Sequence, residues 1–128
     1  MADGATIEII HGYLLEVAQA GIQVERAILF GSCARGQARA ESDIDVLVLS
    51  PLFDGRKRPS DLDKLWHAAR RVDTRIEPIG VGVRQYEEEA WKPLFMMARR
   101  EGVTVYPADV PAARVAADGQ GVYRAGDR

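Results

Sequence analysis

The run of residues 43–49, Asp-Ile-Asp-Val-Leu-Val-Leu, constrains the fold most, because it is the clearest β-strand in the chain. Pro51 and the pair Asp54-Gly55 follow the run and predict a turn. The other elements predicted from apolar spacing and turn residues are a helix at 5–20, a strand at 26–30, a short helical segment after Gly31-Ser32, a helix capped by Ser60, a strand at 74–83, two helices separated at Pro93, and a strand at 103–106. This order predicts an α/β (α+β) domain with a small mixed sheet of about four strands and flanking helices.

Length and composition limit the classes of function. A chain of 128 residues with 47% apolar and 28% charged residues is typical of one soluble domain. No apolar run is long enough to cross a membrane, and the net charge of −2 argues against nucleic acid as the main partner. Cys33 is the only cysteine, which excludes intrachain disulfides and predicts a cytoplasmic protein.

Two carboxylates lie at the beginning of the strand at 43–49. Asp43 and Asp45 are two residues apart, so their side chains project from the same face of the strand. Neighbouring carboxylates repel each other unless a cation offsets their charge, and Mg²⁺ prefers oxygen ligands of this kind. The pair therefore predicts a metal site.

The pair Gly31-Ser32 ends the preceding strand, and ten residues separate it from Asp43. Glycine lets the backbone approach a ligand closely, and amides at the beginning of a helical segment attract phosphate oxygens. Ser32 can cap that segment or donate its hydroxyl to a phosphate, and Arg35 can add positive charge to a triphosphate. A phosphate cradle that faces a metal-binding acid pair is what phosphoryl or nucleotidyl transfer requires.

A third carboxylate would complete a site for two metal ions ~3.5–4 Å apart. Glu77 is the preferred candidate, because it lies in a predicted strand that has no other reason to contain an acid. Asp73, closer to the end of the preceding helix, is the rival. Glu77 would act as a metal ligand, and its additional role as the base for the attacking hydroxyl stays open.

The spacing of Gly31-Ser32 and Asp43-x-Asp45 resembles the signature of the polymerase-β-like nucleotidyltransferase superfamily. Two longer segments are similar to the small members of this superfamily, the minimal nucleotidyltransferases. They read Leu-Phe-Gly-Ser-Cys-Ala-Arg-Gly and Ser-Asp-Ile-Asp-Val-Leu-Val. The resemblance extends over roughly residues 20 to 106 and places the family's third acid at Glu77, where the family often has Asp. It implies the polymerase-β-like fold, ATP as substrate and Mg²⁺ as cofactor. From Pro107 onward the composition changes to Ala, Gly, Asp and Pro with few large apolar residues, which predicts a nucleotidyltransferase domain at 1–106 and a loosely structured tail at 107–128.

The resemblance also implies a partner. Minimal nucleotidyltransferases occur beside a helical HEPN-type toxin as its antitoxin, and the characterised ones transfer AMP from ATP to a tyrosine hydroxyl of the toxin. Two alternatives stay open: a non-catalytic module that masks the toxin by binding it, and an enzyme with a small-molecule acceptor. A homo-oligomer is also left open, and the sequence does not determine the acceptor or the base of the nucleotide.

Overall fold

Apolar side chains on both faces of the central strand explain why helices cover both faces of the sheet. The computed structural model describes residues 3–39 and 41–107 and the backbone of 122–124. In it the central strand β2 spans Ile44–Leu49, and residues 46–49 are completely buried. Because successive side chains of a strand point to opposite faces, this burial requires a covering layer on each side.

The sheet is mixed and has five strands in the order β3-β2-β1-β4-β5. Strand β1 is antiparallel to both of its neighbours, whereas β2 with β3 and β4 with β5 are parallel pairs. Besides β2, the strands are β1 (Arg26–Phe30), β3 (Ile76–Val81), β4 (Val103–Tyr106) and β5 (Val122–Arg124). Strand β3 lies at an edge, where Pro78 in its middle is tolerated because a proline has no amide hydrogen to give to a further strand.

Four helices form the two covering layers. Helices α1 (Gly4–Gln19) and α2 (Pro59–Val72) pack on the face of β2 that carries Ile44, Val46 and Val48. Helices α3 (Val83–Glu88) and α4 (Pro93–Glu101) pack on the opposite face, against Leu47 and Leu49. A single 3₁₀ turn, Pro51–Phe53, follows β2. No helix in the described ranges is both long and apolar enough to cross a membrane.

The structure confirms the predicted mixed α/β fold and corrects three details. Residues 31–36 form turns rather than a helical segment, because Gly31 and Gly36 both adopt positive φ angles, of 74° and 72°, that end a helix. Helix α2 begins at Pro59, so Ser60 lies inside the helix and does not cap it. The sheet has a fifth strand, Val122–Arg124, within the segment assigned to a tail; most of that segment lies outside the described residues.

Candidate active site

The register of three adjacent strands brings the predicted acids together. Asp45 of β2 is paired with Phe30 of β1 on one side and with Glu77 of β3 on the other. Paired residues of neighbouring strands project from the same face, here the one that α3 and α4 cover. The helices pack against the far end of this face, where Leu49 and Val81 are buried. The end that carries the acids is therefore more open to solvent.

Asp43 directly precedes β2 and has the same side-chain parity as Asp45. Its side chain is exposed, as is that of Glu77, whereas Asp45 is partly buried between the strands on either side. Three carboxylates thus share one end of one sheet face, and two of them lie on directly paired positions. The sequence alone predicted the same three residues.

The electrostatics of the three acids show mutual repulsion. Burial raises the pKa of Asp45 and the charge of Asp43 raises it further, while a hydrogen bond with Glu77 acts in the opposite direction. The pKa of Glu77 is raised first by desolvation, then by the charges of Asp43 and Asp45, and also by its hydrogen bond with Asp45. Because both pKa values are raised, a cation bound between the carboxylates would stabilise their charged forms.

The donor set fits a hard divalent cation, since all its ligands are carboxylate oxygens. Asp43, Asp45 and Glu77 are the residues that would hold Mg²⁺. In the described part of the chain no three His, Cys, Asp or Glu side chains converge as in a formed metal site.

The turn after β1 lies directly against Asp45. A Cβ atom added at Gly31 would be 2.6 Å from Oδ2 of Asp45, and the positive φ of Gly31 also disfavours other residues. The backbone hydrogen bonds within the turn use the amides of Arg35, Gly36 and Gln37. The amides of the residues from Ser32 to Ala34 take no part in those bonds.

Cys33 links this turn to the beginning of β2. Its thiol is buried and donates to the carbonyl oxygen of Asp43, with Sγ and O 3.4 Å apart. Burial raises the pKa of Cys33, so the thiol stays protonated and keeps its role as a donor. This contact of Cys33 was not predicted from the sequence. Two adjacent apolar residues in an otherwise polar segment, Cys33 and Ala34, were the local pattern that indicated burial there.

Two residues that the sequence offered for the site, Arg35 and Asp73, are engaged by other side chains in the structure. Arg35 donates from Nη1 to Oε2 of Glu101, at 3.1 Å, and from Nε to Oε1 of Gln37, also at 3.1 Å. Asp73, the rival third acid, accepts three hydrogen bonds from Arg75, at 2.9 Å from the amide, 3.0 Å from Nε and 2.8 Å from Nη2. These bonds lower the pKa of Asp73 and satisfy both of its oxygens. Glu101 could not be predicted, because 66 residues separate it from Arg35.

Comparison with known proteins identifies the family and the fold of the chain. A family model described as a nucleotidyltransferase domain matches residues 12–96, more than half of the chain. A candidate nucleotidyltransferase from Sulfolobus solfataricus has a similar crystal structure, with 19% identity, a TM-score of 0.53 and 80% of each chain covered. The structure of a toxin–antitoxin with AMP-PNP is similar at 16% identity and a TM-score of 0.50, over 73% of this chain and 70% of that one. At these identities the two structures show a common fold, and no curated protein matches the sequence.

Proposed function

Because the chain belongs to the nucleotidyltransferase domain family, we propose that it transfers AMP from ATP to a hydroxyl group of another protein, with Mg²⁺ as cofactor. The observation that carries the proposal is the position of the Asp45–Glu77 pair next to the turn at Gly31. Acids that can hold a cation lie beside amides that can bind a triphosphate. This is the combination that in-line transfer of a nucleotide requires.

Each group has a separate role in the proposed reaction. The amides of the Gly31-Ser32 turn and the hydroxyl of Ser32 bind the triphosphate and orient its α-phosphorus toward the acids. Two Mg²⁺ ions, held by Asp43, Asp45 and Glu77, would supply positive charge to the phosphate oxygens. The acceptor oxygen forms a bond to the α-phosphorus as the bond to pyrophosphate breaks, and Glu77 accepts the proton of the acceptor hydroxyl.

We propose a tyrosine of a HEPN-type helical toxin as the acceptor, which would make this chain an antitoxin that acts in the cytoplasm. The likeness to the toxin–antitoxin structure with AMP-PNP supports this choice of partner and nucleotide. The exposed side chain of Ile79, one rung beyond Glu77 on the same face, offers an apolar contact to an acceptor near the acids. Its 39% exposure is unusual for an isoleucine that is paired with a completely buried leucine.

The test is to incubate the protein with Mg²⁺, ATP labelled in the α-phosphate, and the product of the adjacent gene. We expect label on a tyrosine of the partner, and a loss of roughly 100-fold or more in rate for Asp43→Asn and Asp45→Asn. Labelling by these variants at the wild-type rate would contradict the proposed chemistry. Neutralisation of the toxin without transfer of label would instead establish a masking protein, and label on a small molecule would change the acceptor.

A further inference from the structure

Glu101 is the counterion of the positive charge nearest to the phosphate-binding turn. The ion pair between Arg35 and Glu101 is partly exposed, with 39% of the arginine and 29% of the glutamate side chain accessible to solvent. It connects the Gly31–Gln37 turn to the last residue of α4, an element that packs on the opposite side of β1 from α1. The pair thus decides where the guanidinium lies when no nucleotide is bound.

Glu101 is fixed in place by its neighbour in the chain. Gly102 joins α4 to β4 so closely that an added Cβ would be 2.2 Å from the carbonyl oxygen of Ala98 and 2.6 Å from Cγ2 of Ile28. The amide of Gly102 also donates to the carbonyl of Ala98, at 2.8 Å. The glutamate therefore lies at a rigid junction, while the long side chain of Arg35 can move.

The position of Glu101 at the end of a helix weakens its ion pair with Arg35. A carboxylate at the C-terminus of a helix lies at the negative end of the helix dipole, which is an unfavourable place for an anion. Exposed ion pairs contribute little to stability, whereas charge-assisted hydrogen bonds from arginine to phosphate are stronger. Arg100 lies 3.9 Å from the other carboxylate oxygen, so Glu101 keeps a cationic neighbour when Arg35 moves away.

We infer that Glu101 competes with the triphosphate for Arg35 and thereby sets the affinity of the site for nucleotide. This inference rests on the proposed function and makes Glu101 a positioning residue, which acts through Arg35 without touching the substrate. In the absence of ATP the guanidinium binds Glu101; with ATP it binds the phosphates. The competition lowers the affinity of the turn for phosphates, which favours the release of pyrophosphate after AMP has been transferred.

The experiment measures the Kd of AMP-PNP in the presence of Mg²⁺ by calorimetry. Glu101→Gln is expected to bind about two- to fivefold more tightly than the wild type, and this gain should shrink as salt is added. Glu88→Gln is the matched control, because it removes the same charge from another arginine pair, Arg84–Glu88 at 3.3 Å, at the far end of the sheet. Its Kd should equal that of the wild type.

The same substitution in an Arg35→Gln background completes a double-mutant cycle. There Glu101→Gln should leave the Kd unchanged, because the group through which it acts is gone. The inference would be overturned if Glu101→Gln alone left the Kd of AMP-PNP unchanged or raised it. It would also be overturned if Glu101→Gln still tightened binding in the Arg35→Gln background. Failure of the wild type to bind AMP-PNP would overturn the proposed function and the inference with it, so the two failures are distinguishable.

Discussion

At one end of the β2–β3 ladder Asp45 pairs with Glu77 in contact with solvent, and at the other end Leu49 pairs with Val81 beneath α3 and α4. Both pairs belong to the same two strands and the same face of the sheet. Leu49 is completely buried and Val81 is 1% exposed, whereas Glu77 is exposed. The ladder thus changes from a charged surface to an apolar core within four residues.

The difference shows how a small domain holds repelling charges at fixed positions. Burial and the charge of Asp43 raise the pKa of Asp45, and burial with the charges of Asp43 and Asp45 raises the pKa of Glu77, so the proximity of these carboxylates opposes folding whenever they are ionised. Burial of apolar groups at the other end keeps the strands in register and offsets this cost. Stability should therefore depend mainly on the apolar end, and nucleotide binding mainly on the charged end.

The largest expected effect on stability is at the apolar end. Leu49→Ala removes a completely buried side chain and should lower the free energy of unfolding by about 2–5 kcal/mol. Urea denaturation would measure it, with Leu15→Ala, at a position 57% exposed, as the control expected to change little. The folded fraction of Leu49→Ala should bind AMP-PNP as the wild type does. A large loss of affinity would show that the two ends are not separable.

A smaller effect is expected at the junction of the charged end with the turn. Gly31→Ala should cost about 1–2 kcal/mol for its positive φ and should also weaken AMP-PNP binding, because the new Cβ displaces the Asp45 carboxylate. Gly55→Ala is the matched control, since Gly55 has a similar φ of 78° but no atom within 4 Å of an added Cβ. Calorimetric titration of both variants should show weaker binding for Gly31→Ala alone. Equal affinities for the two variants would contradict the contact with Asp45.

The smallest expected effect is the pH dependence of stability without metal. The raised pKa values of Asp45 and Glu77 mean that the folded state gains stability as these groups are protonated, so stability is lost as the pH rises above ~4 through the folded pKa values. The lowered pKa of Asp73 has the opposite sign, since its contribution is present above ~4 and lost on further acidification.

Asp45→Asn should therefore reduce the loss in the free energy of unfolding between about pH 4 and neutral. The change should be less than about 1 kcal/mol, because solvent screens these side chains. Thermal unfolding across this range, with chelator present, would measure the change. Asp73→Asn serves as the control and should alter only the acidic limb. A profile of Asp45→Asn that parallels the wild type would indicate that the carboxylates do not interact.

Local patterns predicted the strands and the acids, while contacts between distant segments could not be predicted. The apolar run at 43–49 was sufficient to predict a strand, and the spacing of Asp43 and Asp45 to put both side chains on one face, because side-chain parity acts locally. The partner of Arg35 depends on how α4 meets β1, which no short-range pattern encodes. The turn at 31–36 was wrongly predicted as helical, because the positive φ of Gly31 goes with its close approach to Asp45, a residue fourteen positions away in the chain.

The outer edge of β3 restricts how another protein can approach the acids. The amide of Ile76 donates to the carbonyl of Asp73, Pro78 has no amide hydrogen, and the carbonyl of Gly80 accepts from Nζ of Lys57 at 2.8 Å. At three alternate positions along this edge, one of the two backbone groups is thus withheld from a further strand. Strand addition at this edge is therefore unfavourable, and a protein that reaches Glu77 is expected to contact the face of the sheet through side chains.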